Sequence, residues 1–110
     1  NCNLDWNQME LETEHNAIVI DEFMRTNLNR IYAIGDVTGK LALAHTASKQ
    51  GEVAAAHIAS NILNIPYHHP PLNYTNIPRC TFTSPEVASV GHTEEEAREK
   101  FGELKIGKFP

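Results

Sequence analysis

An α/β fold is predicted for this chain by three features of its sequence. Short apolar or β-branched runs stand at residues 17–21 and 31–34, small and apolar residues recur at helical spacing over residues 43–63, and a glycine-bearing turn joins the second run to that helix. In open α/β arrangements, ligands sit beyond the carboxyl ends of such strands.

Residues 1–16 are polar, weakly periodic and begin without methionine, and they read as the opening of a piece cut from something longer. Ala17, Ile18, Val19 and Ile20 form a β-branched run bounded by Asn16 and by the charged pair Asp21-Glu22, as expected of a strand. Ile31, Tyr32, Ala33 and Ile34 are apolar on consecutive positions, which suits a strand buried on both faces, and the run stops at Gly35-Asp36. Gly39 keeps the next segment in a turn. From Leu43 onward, Ala44, Ala47, Gly51, Ala54, Ala55, Ile58 and Ile62 recur at three- and four-residue steps and are expected to line the inward side of a helix. Gly51 costs that helix about 1 kcal/mol against alanine, which suggests that space is needed there.

Pro66, Pro70, Pro71 and Pro78 crowd the segment from 64 to 78 and exclude both a helix and a central strand. A domain boundary is expected here, with residues 1–66 forming one part and 67–110 another. Residues 79–82 and 87–90 read as strands around the turn Thr83-Ser84-Pro85-Glu86, and Gly91 closes the second. Thr93-Glu94-Glu95-Glu96 is a capping box: the Thr93 hydroxyl accepts from the Glu96 amide while the Glu96 carboxylate reaches back. The helix it starts is expected to end near Phe101, with Gly102 as a left-handed cap, and residues 104–109 read as a further strand. There is no internal repeat.

With 110 residues, 41% apolar and 21% charged, the chain has globular composition and can bury roughly two-thirds of its unfolded surface. A net charge of −5 without any Lys/Arg cluster argues against nucleic acid as a partner. No apolar run reaches the roughly 18 residues of a membrane span, and no basic segment followed by a hydrophobic one opens the chain. Neither a membrane anchor nor a signal peptide is therefore expected. Cys2 and Cys80 lie too far apart in sequence for a CxxC redox pair or a zinc knuckle, and two unpaired thiols in a reducing, cytoplasmic setting is the reading preferred. His68 and His69 have no carboxylate or cysteine at ligand spacing, so no metal is expected.

The stretch from Ile31 to His45 carries the chemistry. At the end of the apolar run, Gly35 lacks a Cβ that would obstruct a bound group and Asp36 offers two acceptor oxygens to sugar or polyol hydroxyls. The amides opening the helix near Leu43, with the helix dipole behind them, favour electron-rich atoms. Gly-Asp is also the ordinary end of a strand, and on that pattern alone a plain turn is the better reading. His45 stands where a general base would, yet a main-chain role is preferred for it. Lys40 reads as a solvated loop residue, and Glu94 to Glu96 as the acidic first turn of a helix.

The longer string decides between these readings. Asp21-Glu22-Phe23-Met24-Arg25-Thr26-Asn27, Ile31-Tyr32-Ala33-Ile34-Gly35-Asp36-Val37, Leu43-Ala44-His45, Pro85-Glu86-Val87-Ala88-Ser89-Val90-Gly91 and Thr93-Glu94-Glu95-Glu96-Ala97 together resemble the pyridine nucleotide-disulfide oxidoreductases. Within that family the chain looks most like the dihydrolipoamide dehydrogenase branch, from about Ile18 to Pro110. The resemblance implies the C-terminal segment of a Rossmann-like FAD-binding domain followed by the start of an α+β dimerisation domain. It implies that Asp36 binds the ribityl chain of FAD with Gly35 giving it room. It also implies that Ala42, Leu43, Ala44 and His45 bring main-chain amides near the flavin pyrimidine ring, although Ala42 departs from the family's methionine. A homodimer, a dihydrolipoamide-bearing protein as substrate, and NAD as second cofactor of the parent enzyme are implied in the same way.

Other parts of that family's pattern are not found in these 110 residues. Two GxGxxG loops, the Cys-x4-Cys redox disulfide and the carboxy-terminal His-x4-Glu pair are missing, and neither Cys2 nor Cys80 replaces the disulfide. No catalytic residue is therefore assigned, and the 110 residues alone are expected to be inactive and to hold FAD weakly. The rival readings are a piece of another disulfide reductase or of a mercuric reductase, and a non-catalytic module that holds a partner chain.

Overall fold

The computed structural model describes residues 9–109. Residues 1–8, with Cys2, lie outside that range, so the expectation for Cys2 does too. Packing divides the chain into two units, Asn1–Leu72 and Asn73–Pro110.

The first unit opens on a hairpin that the sequence reading did not anticipate. β1 (Thr13–Glu14) pairs antiparallel with β2 (Ala17–Ile18), Thr13 opposite Ile18 and Glu14 opposite Ala17. The connecting residues, His15 (φ 49°) and Asn16 (φ 64°), both have the positive φ of a two-residue primed turn, whose twist matches that of paired strands. The strand expected over 17–21 is thus confined to its first two residues. Asp21 then ends the extended run by binding its own loop: its carboxylate accepts from the Phe23 and Arg25 amides at 2.8 and 2.9 Å and from Arg25 Nε at 2.6 Å. Burial raises the Asp21 pKa, but the hydrogen bonds from Arg25 and Phe23 and the Arg25 charge outweigh it and leave the value below 3.8.

Residues 31–34 do not form the strand expected of them. They are extended, with a single bridge between Tyr32 and Arg25, and Ile34 is 44% exposed rather than buried on two faces. A consecutive apolar run becomes a central strand only when strands flank it, and no ladder runs beside it among the described residues. Its hydrogen bonds go back to the preceding loop, from the Thr26 amide to Ile31 O and from the Ala33 amide to Met24 O.

α1 (Ala44–Leu63) is the long helix expected, and Asn64 ends it in the left-handed conformation. Its buried face is not the one expected. Thr46, Gln50, Val53, Ala54 and His57 point inward, whereas Ala44, Ala55 and Ile62 are exposed. Polar residues belong to the buried stripe, and two of them, Gln50 and His57, find partners inside. His57 Nδ1 lies 2.8 Å from the Tyr32 hydroxyl and its ring stacks on Phe23 at 4.7 Å. Val53 and Ala54 pack with Met24, against which Ile20, Tyr32 and Leu72 close. A second cluster joins Leu11, Ile18 and Ala33. Burial of Val53 and Met24, 0% and 2% exposed, contributes about 1.5–3 kcal/mol each. Gly51 does not mark a close backbone approach: a Cβ there would meet Ile34 Cδ1 at an ordinary 3.6 Å.

In the second unit the hairpin and helix form as read. β3 (Arg79–Thr81) pairs antiparallel with β4 (Val87–Ser89), Cys80 opposite Ala88. The capping box before α2 (Glu94–Phe101) is closed in both directions, at 3.2 Å from the Glu96 amide to Thr93 Oγ1 and 2.9 Å from the Thr93 amide to Glu96 Oε2. The Thr93 amide holds the Glu96 carboxyl below its ordinary value. Gly102 has positive φ (81°) but a ψ of −127°, so the cap is not the left-handed one expected. Residues 104–109 carry no strand, as no described strand lies alongside to receive their hydrogen bonds.

Candidate functional site

The Gly-Asp turn lies against the first half of α1. Residues Gly35–Thr38 coil into one short 3-10 turn, closed by the Gly39 amide donating to Asp36 O at 3.0 Å and by the Thr38 hydroxyl donating to Gly35 O at 2.8 Å. Gly35 has φ +78°, which few L-residues adopt, and a Cβ there would touch Ala47 at 3.5 Å, an ordinary contact. The backbone conformation by itself requires glycine here. Gly39 is required on two counts: φ is +63°, and an added Cβ would come within 2.5 Å of Ala17 Cβ.

This turn delivers Asp36 to the surface, where its side chain is exposed. Of the other expected site residues, Ala42, Ala44 and His45 are exposed and Leu43 is half-buried. Leu43 is the N-cap of α1, extended at φ −138°, ψ 140°, and its apolar side chain makes no capping bond. No acidic residue stands in the first turn either, so neither a hydroxyl nor a carboxylate of the helix's own offsets the positive end of a 20-residue dipole. The hydroxyl of Thr46 in that turn is fully buried without a hydrogen-bond partner. An exposed carboxylate and an uncapped helix start thus flank one glycine turn. Together they fit a ligand that offers hydroxyls to the acid and electron-rich atoms to the amides.

Two polar residues in this region escaped the sequence reading. Gln50, 1% exposed, accepts the Gly35 amide on Oε1 at 2.6 Å, and Thr46 lies one helical turn before it. Their i, i+4 spacing with Val53, Ala54 and His57 was the signal available. A small recess of about 200 Å³ adjoins the turn, lined by Thr38, Gly39 and Lys40 with Glu14, His15 and Ala17. A larger groove of about 930 Å³, between Asp21, Arg25, Arg30 and Tyr32 and the end of α1 at Asn61 and Ile62, lies away from the turn. It contains none of the six expected site residues, and the turn, with its uncapped helix start, carries the more specific chemistry. Among the described residues no three His, Cys, Asp or Glu side chains come together as metal ligands, and no helix is long and apolar enough to cross a membrane.

Comparisons with known proteins bear on the family and the fold. Residues 1–51 match the family described as pyridine nucleotide-disulphide oxidoreductase, and residues 77–110 match the dimerisation domain of the same description. A dihydrolipoyl dehydrogenase of Corynebacterium glutamicum is 50% identical over 100 residues, 89% of this chain and 20% of that protein. Among solved structures, LpdA from Mycobacterium tuberculosis is similar with a TM-score of 0.68 at 28% identity, over 90% of this chain and 20% of LpdA. The HOCl-induced flavoprotein disulfide reductase RclA from Escherichia coli is similar with a TM-score of 0.64 at 26% identity, over 87% of this chain and 21% of RclA. The chain spans about a fifth of the length of the curated relatives it matches.

Proposed function

This chain belongs to the pyridine nucleotide-disulphide oxidoreductases, and on that premise we propose that it is the flavin-holding wall and the opening of the dimer surface of a dihydrolipoyl dehydrogenase. Bound FAD would supply electron transfer between a dithiol-disulfide pair and NAD, which serves as the second cofactor. The chain's own part is to hold and orient. Asp36, on its glycine turn, accepts hydrogen bonds from the ribityl hydroxyls. The main chain at Ala42, Leu43, Ala44 and His45 faces the pyrimidine edge of the ring, where the positive end of α1 favours electron density. No catalytic residue falls among these 110, and the piece by itself is inactive.

The observation that carries this reading is the exposed Asp36 carboxylate on a positive-φ glycine turn packed against an uncapped 20-residue helix. Family membership and the dihydrolipoyl dehydrogenase relatives support the substrate, a dihydrolipoyl group carried on a partner protein. The likeness to RclA favours one second reading, a disulfide reductase acting on another substrate, and NAD-linked turnover of dihydrolipoamide by the full-length polypeptide separates the two. We propose residues 1–66 as the FAD/NAD-binding part and 67–110 as the interface part, with the first packed unit running on to Leu72. A second copy of the chain is proposed to cover the interface part, and an exposed free Cys80 suits a cytoplasmic, reducing setting.

Asp36→Ala in the full-length polypeptide tests the site. Loss of hydrogen bonds to a charged acceptor is worth about 1.5–3 kcal/mol, so FAD affinity falls about ten- to a hundredfold. The fold is expected to survive, since Asp36 is exposed. Unchanged FAD occupancy after gel filtration refutes the assignment.

A further inference from the structure

We infer that Gln50 is the positioning residue that fixes the flavin-binding turn, an inference that rests on the proposed function and extends it. The Gly35–Thr38 turn is not locked by the residue before it: Ile34, its N-cap, contributes no side-chain bond. What holds the Gly35 amide is the Gln50 side chain, fifteen residues away on α1, at 2.6 Å and 1% exposure. Because the donor is a backbone N–H, the group facing it must be the amide oxygen of Gln50, which fixes the orientation of that side chain.

This bond joins the two halves of the proposed cradle. Asp36 follows Gly35 directly, and Gln50 rides on the helix whose opening turn supplies the amides. Glycine has the widest choice of φ of any residue, so without the tether Gly35 leaves +78° easily and Asp36 loses its aim. Binding groups work only when held to within about 0.5 Å of their productive position. Thr38 and Gly39 close the turn upon itself, and among the described residues these bonds stay within it, so neither replaces the link to α1.

The test is FAD titration of the full-length apoprotein by flavin fluorescence, well below its thermal midpoint, with visible circular dichroism of the bound flavin. Gln50→Met keeps length and removes the acceptor, whereas Gln50→Glu keeps the acceptor. Gln50→Met is expected to weaken FAD binding about tenfold or more and to alter the dichroism, and Gln50→Glu to restore affinity to within about threefold. A fold-stabilising role alone would lower the thermal midpoint and leave both readouts unchanged, and that result overturns the inference, as does failure of Gln50→Glu to restore binding. Asp36→Ala in the same titration separates the two levels. If it weakens FAD while Gln50→Met does not, the inference falls and the flavin site stands; if it binds FAD normally, both fall. Should Gln50→Met not fold, hydrogen exchange in the unsubstituted protein decides: a protected Gly35 amide supports the tether and a freely exchanging one overturns it.

Discussion

The residues up to Leu72 and those from Asn73 onward reach defined structure by opposite routes. In the first unit the elements are held by what they bury: Met24, Val53 and Ala54 meet from a loop and a helix far apart in sequence, and His57 is gripped by Tyr32 and Phe23. In the second, every residue of β3 and β4 is exposed, and α2 buries none. Local signals hold it instead, among them a closed capping box, the Asn73 side chain bonding the Thr75 amide, and an i, i+4 pair between Glu94 and Arg98 at 2.8 Å. Phe82, at 85% exposure, and Val87, Val90 and Phe101, at 62% each, are left uncovered there. The second copy of the chain proposed above would cover such side chains, in keeping with the match of residues 77–110 to a dimerisation domain.

That contrast breaks most visibly at Met24. Met24→Ala is expected to destabilise the first unit by about 2–5 kcal/mol, read as a fall in the unfolding midpoint, because it empties the junction of the loop with α1. A loss below about 1 kcal/mol would mean that the first unit, like the second, relies on local order. Next in size is the expected effect of replacing the exposed apolar group. Phe82→Ser with Val90→Ser should shift the full-length polypeptide from dimer toward monomer in sedimentation, and an unchanged dimer would show that this face is not the one covered. Smallest is Thr93→Ala, which removes the cap of α2 and is expected to cost about 1 kcal/mol, confined to that helix in hydrogen exchange. Slowed exchange returning with Thr93→Ser and not with Thr93→Val would tie the effect to the hydroxyl.

The same division explains which parts of the structure were legible in the sequence. The hairpin of β3 and β4, the capping box and the extent of α1 were readable because turn residues, caps and periodicity act within a few positions of themselves. The Ile31 to Ile34 run and residues 104–109 misled for the converse reason: a strand is completed by neighbours, and composition says nothing of whether a neighbour lies alongside. On α1 the helix was legible and its orientation was not, since Thr46, Gln50 and His57 were passed over as polar although two of them are bonded or stacked inside. At the site, the residues proposed to touch the flavin were named from the family resemblance, whereas Gln50 was not named. The helical spacing of Gln50 marks it as buried, but its partner fifteen residues away is revealed by the 2.6 Å bond.

Asp36 and the open start of α1 are proposed to form one cradle for a flavin. A crystal structure of the FAD-loaded full-length polypeptide measures it directly. The Asp36 carboxylate is expected within hydrogen-bonding distance, about 2.5–3.0 Å, of the ribityl hydroxyls, with the pyrimidine edge against the amides that follow Ala42. A flavin bound elsewhere, or an Asp36 turned from it toward solvent, would rule out the cradle.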